Sequence, residues 1–525
     1  MLARWARAER ISTDAPVRLA GQRAGMSCKG LAWARLLATG LAFALRVQGL
    51  PYQSLWRDEV DSLRFATQPL GQLLQRFVAP GQNGPLYYLL LRPWLDAVGQ
   101  TEFSLRFFSV IAGTLAVPLV YRLGRRMAPR SPSVRIAASL LAAVSPYLVW
   151  YSQEARMYAA VVCLVLGSME CLQAALERGG RLQWLGYVLL TAAALYFHFL
   201  TVLMVPVHLV MLLILRNRQR ARAAWEYFAA LGCVVALILP LLSWQLPRVL
   251  NPSDGGYAFV SLPRMLASMA VTYSSGVLPG VLPWSLAVLL VLSSAALARA
   301  RGEMRGSVAA LAAWLFLPVL GLFLLTLVQP LYTARYLIFV LPALLLLAGI
   351  GVQKISRRVW WLGGVLAAAL MISSLVSVWR QAATPVKADM RSAASYVATH
   401  MDADDTVVFQ IPYARHSFEY YFNRVTISHS TGSPGGFRLL FPLVTGPARS
   451  LLWMDGLYTN GGMAAAEVHL AMQRQVADSK GTWLVAAEAA LWDERGLVQS
   501  WLEAHATVTT RAEFVGVIVS RYELP

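Results

Sequence analysis

Two adjacent acids, Asp58 and Glu59, follow the first long apolar run of the chain and are preceded by Arg57. The run, residues 31–49, is long enough to cross a bilayer at a rise of about 1.5 Å per residue, so the acids lie just beyond a membrane surface. Carboxylates in that position cost desolvation energy and add no packing, which favours a chemical role such as general base. The structural alternative is that Arg57 merely pairs with both acids at the start of a helix.

The composition is that of an integral membrane protein. Of 525 residues, 57% are hydrophobic and 14% are charged, more apolar surface than a soluble domain needs. The net charge of +19 comes from arginines in short connections between apolar runs. This is the positive-inside pattern of membrane proteins and argues against a nucleic acid partner. The four cysteines indicate no disulfide framework.

About eleven crossings are predicted from the apolar runs. They lie near 31–49, 103–121, 133–150, 157–176, 182–198, 200–215, 226–246, 281–298, 307–328, 336–352 and 359–378. The short run 85–98 is interpreted as an interfacial helix, because a crossing there would place the arginines after residue 121 outside. With this choice every predicted inner loop is basic, including residues 216–220 and 299–305.

The same reasoning divides the chain into three parts. Residues 1–30 form a cytoplasmic N-terminal segment, residues 31–380 a transmembrane module whose first outer loop spans 50–102, and residues 381–525 an extracytoplasmic α/β domain. In the last part we expect strands near 405–409, 482–486 and 514–520, helices near 387–400, 464–479 and 495–505, and a loop at 432–436.

The predicted topology collects further polar residues on the outer side. They are Glu154 and Arg156 between the third and fourth spans, His198 at the end of the fifth, Tyr332 and Arg335 before the tenth, and Tyr87 and Tyr88 in the first outer loop. Arginines can clamp a phosphate and stabilise charge on a phosphate leaving group. In a membrane, that phosphate belongs to a lipid. The set therefore indicates transfer of a group from a lipid phosphate to an acceptor outside the cytoplasm.

Each of these residues also has a structural interpretation. Arg156 and Arg335 can snorkel from span ends, and the tyrosines can form an ordinary aromatic belt. His198 alone is more often an interface residue than a metal ligand. Arg57 either orients the acids or contacts phosphate.

Several segments together resemble bacterial family 39 glycosyltransferases of the C-type superfamily, whose relatives include protein O-mannosyltransferases and lipid A aminoarabinose transferases. The acidic pair is followed by Gly84-Pro85-Leu86-Tyr87-Tyr88 and then by Ser-Leu-Arg-Phe-Phe-Ser-Val-Ile-Ala-Gly-Thr at 104–114. Further matches are Ser-Gln-Glu-Ala-Arg-Met-Tyr at 152–158 and Arg-Tyr-Leu-Ile-Phe-Val-Leu-Pro at 335–342. The resemblance covers about residues 31–352.

The resemblance implies a C-type glycosyltransferase fold and a polyprenyl-phosphate-linked sugar as donor. Asp58 matches the catalytic base, with Glu59 beside it, and Arg156 and Arg335 match donor-phosphate contacts, to which Arg57 and Tyr332 are further candidates. Asp58 would take the proton of an acceptor hydroxyl as its oxygen attacks the anomeric carbon, giving inversion. Glu154 matches an acid that helps hold a metal in oligosaccharyltransferase relatives. Here the loop offers Glu154 alone, and a divalent metal cofactor stays open.

Other functions remain open at this stage. A transporter or flippase of lipid-linked sugars would use the same arginines but would not need the acidic pair. A non-catalytic assembly protein would carry its function in the C-terminal part. The sequence contains no nucleotide-binding loop, so a nucleotide cofactor is not expected. We expect a bacterial plasma membrane location, with a lipid, polysaccharide or protein acceptor.

Overall fold

A computed structural model describes residues 27–78, 83–215, 220–250, 258–278, 283–298, 304–402, 404–411, 414–431, 464–476, 479–487 and 495–525. Most of the predicted N-terminal segment, the basic stretches at 216–219 and 299–303 and the predicted loop at 432–436 lie outside these residues.

Helices make up most of the structure. The first half contains α1 (Cys28–Val47), α2 (Arg57–Thr67), α3 (Leu70–Val78), α4 (Pro85–Val98), α5 (Glu102–Met127), α6 (Pro132–Val144), α7 (Pro146–Ser152), α8 (Tyr158–Arg178) and α9 (Arg181–Phe197). The second half continues with a 3-10 helix (Phe199–Met204), α10 (Val205–Leu215), α11 (Arg220–Leu250), α12 (Leu262–Ser275), α13 (Pro283–Leu297), α14 (Met304–Thr326), a 3-10 helix (Ala334–Val340), α15 (Leu341–Arg358) and α16 (Leu362–Ala383).

The starts of several helices follow from their residues. Pro85, Pro132 and Pro146 each occupy the first turn of a helix, where the missing N–H is not needed. Gly84 precedes α4 with a φ of 79°, and a Cβ there would lie 3.1 Å from the Met157 side chain. Glycine is therefore required at this entrance to α4.

The apolar runs of the sequence form the membrane helices. Seven described helices are long and apolar enough to cross a membrane, and the bent pair α6–α7 is an eighth candidate. Each of the eleven predicted runs coincides with a helical segment, but some are shorter than a full crossing, such as the 15 residues of α13. The multi-pass helical class is thus confirmed, whereas the number eleven is not. Helix α12 was not predicted.

The third predicted span is broken at Pro146. Helices α6 and α7 meet there at an angle of 54°. Pro146 cannot donate to the carbonyl of Ala142, and the buried guanidinium of Arg46 donates to it instead, at 3.2 Å. Arg46 also donates to the carbonyl of Ala143 at 2.9 Å and to the hydroxyl of Ser152 at 3.1 Å. A buried cation in α1 therefore stabilises the break.

The C-terminal part contains a four-stranded sheet. It is built from α17 (Met390–His400), β1 (Thr406–Phe409), α18 (Ala414–Thr431), α19 (Ala465–Val476), β2 (Gly481–Ala487), α20 (Leu497–His505), β3 (Thr507–Phe514) and β4 (Val517–Glu523). The strand order is β1-β2-β4-β3, with β1 and β2 parallel and the other pairs antiparallel. The small α/β part is as predicted, except that the expected strand at 514–520 includes the turn between β3 and β4 at Gly516. Helix α18 was not predicted.

One cluster of buried hydrophobic residues joins the two parts of the structure. It runs from the membrane helices, for example Leu346 of α15, to Phe409 of β1 and Trp483 of β2. The sheet therefore packs onto the helical part and can position residues there.

Candidate active site

Asp58 lies in the first turn of α2, where backbone N–H groups and the helix dipole favour an acid. Its carboxylate is about one-fifth exposed and faces two arginines from distant parts of the chain. The Oδ2 atom is 3.6 Å from Nη1 of Arg335 and 3.9 Å from Nε of Arg156. In the described part of the chain the carboxylate makes these longer ion contacts and no direct hydrogen bond.

Arg156 is held against α2 and α4. Its Nη1 donates to the backbone carbonyl of Asp58 at 3.3 Å, the hydroxyl of Ser62 at 3.4 Å and the hydroxyl of Tyr88 at 3.1 Å. Tyr88 stacks on Phe77 of α3, which fixes its ring. Helices α2 and α4 thus orient an arginine of the loop between α7 and α8.

Arg335 lies among aromatic rings. Its guanidinium carbon is 5.8 Å from the ring centroids of Trp56 and Tyr158 and 5.9 Å from that of Tyr336. Such rings attract a cation through their negative faces. Arg335 is therefore a cation held among aromatic rings, with the Asp58 carboxylate as its ion-pair partner at 3.6 Å.

Glu59 differs from its neighbour because it is completely buried and fully bonded. Its carboxylate accepts hydrogen bonds from Arg106 at 2.7 and 2.8 Å, from Nζ of Lys387 at 2.9 Å and from the backbone N–H of Ala155 at 3.0 Å. Burial raises the pKa of Glu59, but Arg106 and Lys387 outweigh it and leave the pKa at about 2. We therefore expect Glu59 to position its surroundings rather than to take a proton.

Glu154 is also buried but is only partly bonded. Its Oε1 accepts from Nε1 of Trp150 at 2.9 Å and lies 3.8 Å from Nζ of Lys387. Burial raises the pKa of the Glu154 carboxyl, with Lys387 acting in the opposite direction. Its Oε2 has no hydrogen-bond partner among the described residues.

Several buried polar atoms around Asp58 have no hydrogen-bond partner within the described ranges. They are Nε1 of Trp56, Nε of Arg156, Nε of Arg335 and both ring nitrogens of His198. His198 packs against Tyr158 and Tyr336, which also surround Arg335. Buried polar groups are normally bonded, so unpaired N–H groups from two arginines and a tryptophan indicate the place of an anionic ligand.

The other predicted site residues have different surroundings. The Tyr87 hydroxyl is buried without a hydrogen-bond partner among the described residues, and its ring contacts Tyr88 and Phe197. The Tyr332 hydroxyl donates to the carbonyl of Met265 at 3.0 Å, so it is bonded to α12 rather than available to a donor. Arg57 lines a pocket together with Trp56 and residues of the C-terminal part, such as Met390 and Ser417.

Two site residues were not predicted from the sequence, Arg106 and Lys387. Arg106 lies in the apolar helix α5 and also donates to the carbonyls of Leu50, Gln53 and Ser54. A charged residue near the end of an apolar span is the signal that could have identified it. Lys387 is one of four lysines in the chain, which is a weak signal.

The acids of this site do not fit a divalent metal. All three lie beside cations: Asp58 next to two arginines, Glu59 between Arg106 and Lys387, and Glu154 next to Lys387. Among the described residues no group of three or more histidine, cysteine or acidic side chains is placed to hold a metal ion. These acids are therefore not assigned as metal ligands.

Comparisons with known proteins identify the fold. Residues 82–244 match the model of the dolichyl-phosphate-mannose-protein mannosyltransferase family. No curated protein sequence matches the chain.

Among solved structures, ArnT from Cupriavidus metallidurans in the apo state matches with a TM-score of 0.58 and 12% identity, covering 93% of this chain and 98% of ArnT. The same protein bound to undecaprenyl phosphate matches with a TM-score of 0.56 and 11% identity, over the same shares of both chains. The archaeal oligosaccharyltransferase AglB from Archaeoglobus fulgidus, in complex with an inhibitory peptide and a dolichol-phosphate, matches with a TM-score of 0.55 and 12% identity, covering 93% of this chain and 74% of AglB. At this identity the likeness concerns the fold. The expected C-type glycosyltransferase fold and the resemblance to O-mannosyltransferases and aminoarabinose transferases are confirmed.

Proposed function

We propose that this protein is a membrane glycosyltransferase. It moves a sugar from a polyprenyl-phosphate donor to an acceptor on the outer side of the membrane, by a single displacement with inversion. The acceptor is a lipid, a polysaccharide or a protein.

The observation that carries the proposal is the arrangement around Asp58. A carboxylate with no direct hydrogen bond from any described residue lies within 4 Å of two arginines. Both arginines keep a buried N–H without a partner among the described residues. The first feature suits a general base and the second suits a phosphate, and a glycosyl transfer from a phosphate needs both at one place.

The proposed reaction balances as a single displacement. The acceptor oxygen forms a bond to the anomeric carbon while its proton passes to Asp58. The bond between that carbon and the phosphate oxygen breaks, and the lipid phosphate leaves with the electron pair. Arg156 and Arg335 stabilise the negative charge that develops on the leaving phosphate.

The lipid nature of the donor is supported by proteins of the same fold. ArnT binds undecaprenyl phosphate and AglB binds a dolichol-phosphate in their solved structures. The matched family model also describes a dolichyl-phosphate-linked sugar. A donor held at a membrane surface agrees with a site at the ends of apolar helices.

The location follows from the distribution of charge. Basic residues in the predicted inner loops support a cytoplasmic N-terminus and an extracytoplasmic C-terminal α/β domain. We infer a bacterial plasma membrane, with the sugar transferred to an envelope component.

The test is covalent transfer by the purified protein in proteoliposomes. Polyprenyl phosphates carrying radiolabelled sugars are supplied with extracted envelope acceptors, and nucleotide sugars serve as control donors. We expect label in the acceptor and free polyprenyl phosphate from the lipid donors alone. Donor that moves across the bilayer without transfer would contradict the proposal and support a flippase.

A further inference from the structure

A single lysine from the connection between α16 and α17 joins the start of α2, which carries the proposed base, to the loop before α8, which carries Arg156 of the phosphate clamp. We propose that Lys387 is a positioning residue that fixes the separation of Asp58 and Arg156. The effect of Lys387 on sugar transfer rests on the proposed function. Its effect on the geometry of the site does not.

Lys387 contacts both acids of the site from a buried position. Its Nζ lies 2.9 Å from Oε2 of Glu59 and 3.8 Å from Oε1 of Glu154, and its side chain is 7% exposed. The ammonium also lies near two aromatic rings, 5.5 Å from the centroid of Trp150 and 6.0 Å from that of Trp56. Two carboxylates and two rings around the buried ammonium leave it little freedom to move.

The two acids are close in sequence to the residues that would act on the substrate. Glu59 follows Asp58 directly, and Glu154 precedes Arg156 by two positions. The backbone N–H of Ala155 donates to Oε1 of Glu59 at 3.0 Å, which is a second contact between the start of α2 and the loop before α8. A displaced ammonium would therefore change where the base and the clamp lie relative to each other.

The backbone around Lys387 is itself fixed to the loop before α2. The Oε1 atom of Gln53 accepts from the N–H groups of Val386 and Lys387, at 3.0 Å each. The hydroxyl of Ser54 donates to Asp389 at 3.0 Å. Residues four and five positions before the proposed base thus hold the segment that carries the lysine.

The C-terminal part adds further contacts to the same loop. Arg391 donates to the carbonyl of Pro51 at 2.8 Å and to Glu102 at 2.7 Å. The hydroxyl of Tyr421 in α18 accepts from the N–H of Leu55 at 2.7 Å. The C-terminal part is therefore bonded to the segment before α2, and through Lys387 it contacts Glu59 and Glu154, the neighbours in sequence of the proposed base and phosphate clamp.

The test compares Lys387→Met with Lys480→Met in the full-length protein in nanodiscs. Lys480 is a matched control because it pairs with Asp404 at 2.9 Å on the exposed surface of the same part. We measure kcat, the affinity for the polyprenyl-phosphate donor, and amide hydrogen exchange in residues 55–59 and 153–156. For Lys387→Met we expect kcat to fall about ten- to a hundredfold, the cost of a small misplacement of reacting groups. Donor affinity should change much less, because the arginines remain.

Hydrogen exchange separates this inference from the proposed function. Faster exchange in residues 55–59 and 153–156 of Lys387→Met, absent from Lys480→Met, would support the positioning role even if the wild-type protein transferred no sugar. Unchanged exchange in both loops would overturn it. Absence of transfer by wild type would contradict the proposed function alone.

A double variant tests whether Lys387 acts only by neutralising the charge of Glu154. In Glu154→Gln/Lys387→Met no acid is left without its cation, and we expect kcat to stay low because the tie to Glu59 is gone. Full recovery of kcat would show that the lysine only neutralises Glu154 and would overturn the proposal.

If Lys387→Met does not fold, Gln53→Ala tests the same proposal, because it frees the backbone at Lys387 without removing a charge. A lower kcat with retained donor affinity supports the proposal, and an unchanged kcat overturns it.

Discussion

The two adjacent acids of α2 show that the role of a carboxylate depends on the charged groups and the solvent around it. The pKa of Glu59 is held at about 2, mainly by Arg106 and Lys387 against the effect of burial, and its oxygens are occupied. Asp58 is more exposed and has no direct hydrogen bond to its carboxylate among the described residues. The geometry therefore supports Asp58 rather than Glu59 as the base, although sequence reasoning placed both in the catalytic set.

At the residue scale, we predict that Arg335→Lys weakens donor binding on the order of tenfold, because a lysine loses the planar fork that contacts phosphate. The aromatic surroundings of Trp56, Tyr158 and Tyr336 would still hold a cation, so the fold should persist. Binding of polyprenyl phosphate to the purified variant measures the effect.

Arg64→Lys is the matched control for that measurement. Arg64 pairs with Asp61 at 3.1 Å on the partly exposed side of α2. Equal donor affinity in Arg335→Lys and Arg64→Lys would contradict a phosphate contact by Arg335.

The sequence identified the residues that lie in predicted loops and missed those that lie elsewhere. Asp58, Arg156 and Arg335 were expected on one side of the membrane, and the structure brings a guanidinium nitrogen of each arginine within 4 Å of the Asp58 carboxylate. Arg106 was overlooked because it lies inside an apolar helix. Lys387 lies 328 residues from Glu59, a separation that no local pattern reveals.

At the scale of elements, the break between α6 and α7 depends on Arg46. We predict that Arg46→Met destabilises the protein, because the carbonyls of Ala142 and Ala143 lose their buried donor. Each unsatisfied carbonyl costs about 1–3 kcal/mol, which corresponds to a fall in Tm of several degrees. Thermal unfolding in detergent measures this.

Arg35→Met serves as control because Arg35 lies in the same helix with an exposed side chain. A Tm for Arg46→Met equal to that of Arg35→Met would contradict the role of Arg46 at the break.

Long apolar helices could be predicted from the sequence because their composition alone determines them. Helices α2 and α3 are short and α12 is only partly apolar, so neither length nor hydropathy separated them from loops. The turn at Gly516 was missed for a related reason, since β3 and β4 are joined by only two residues. Element boundaries that depend on a single glycine or proline cannot be predicted without knowing the tertiary contacts.

At the scale of the whole molecule, the site is assembled from four separate parts of the chain. Asp58 comes from α2, Arg156 from the loop before α8, Arg335 from the 3-10 helix before α15, and Lys387 from the connection to the C-terminal part. The membrane topology predicted that the first three share one side. The docking of the C-terminal part could not be predicted, because it depends on side chains that meet only in the folded protein.

The central claim is that Asp58 acts as base in transfer from a lipid phosphate. The most direct measurement compares Asp58→Asn with Asp61→Asn, an acid of the same helix that pairs with Arg64. Sugar transfer and donor affinity are measured for both variants in proteoliposomes. We predict that Asp58→Asn binds the donor but loses transfer by at least about a hundredfold, the usual contribution of a general base, while Asp61→Asn transfers normally. Transfer by Asp58→Asn at the rate of Asp61→Asn would contradict the account.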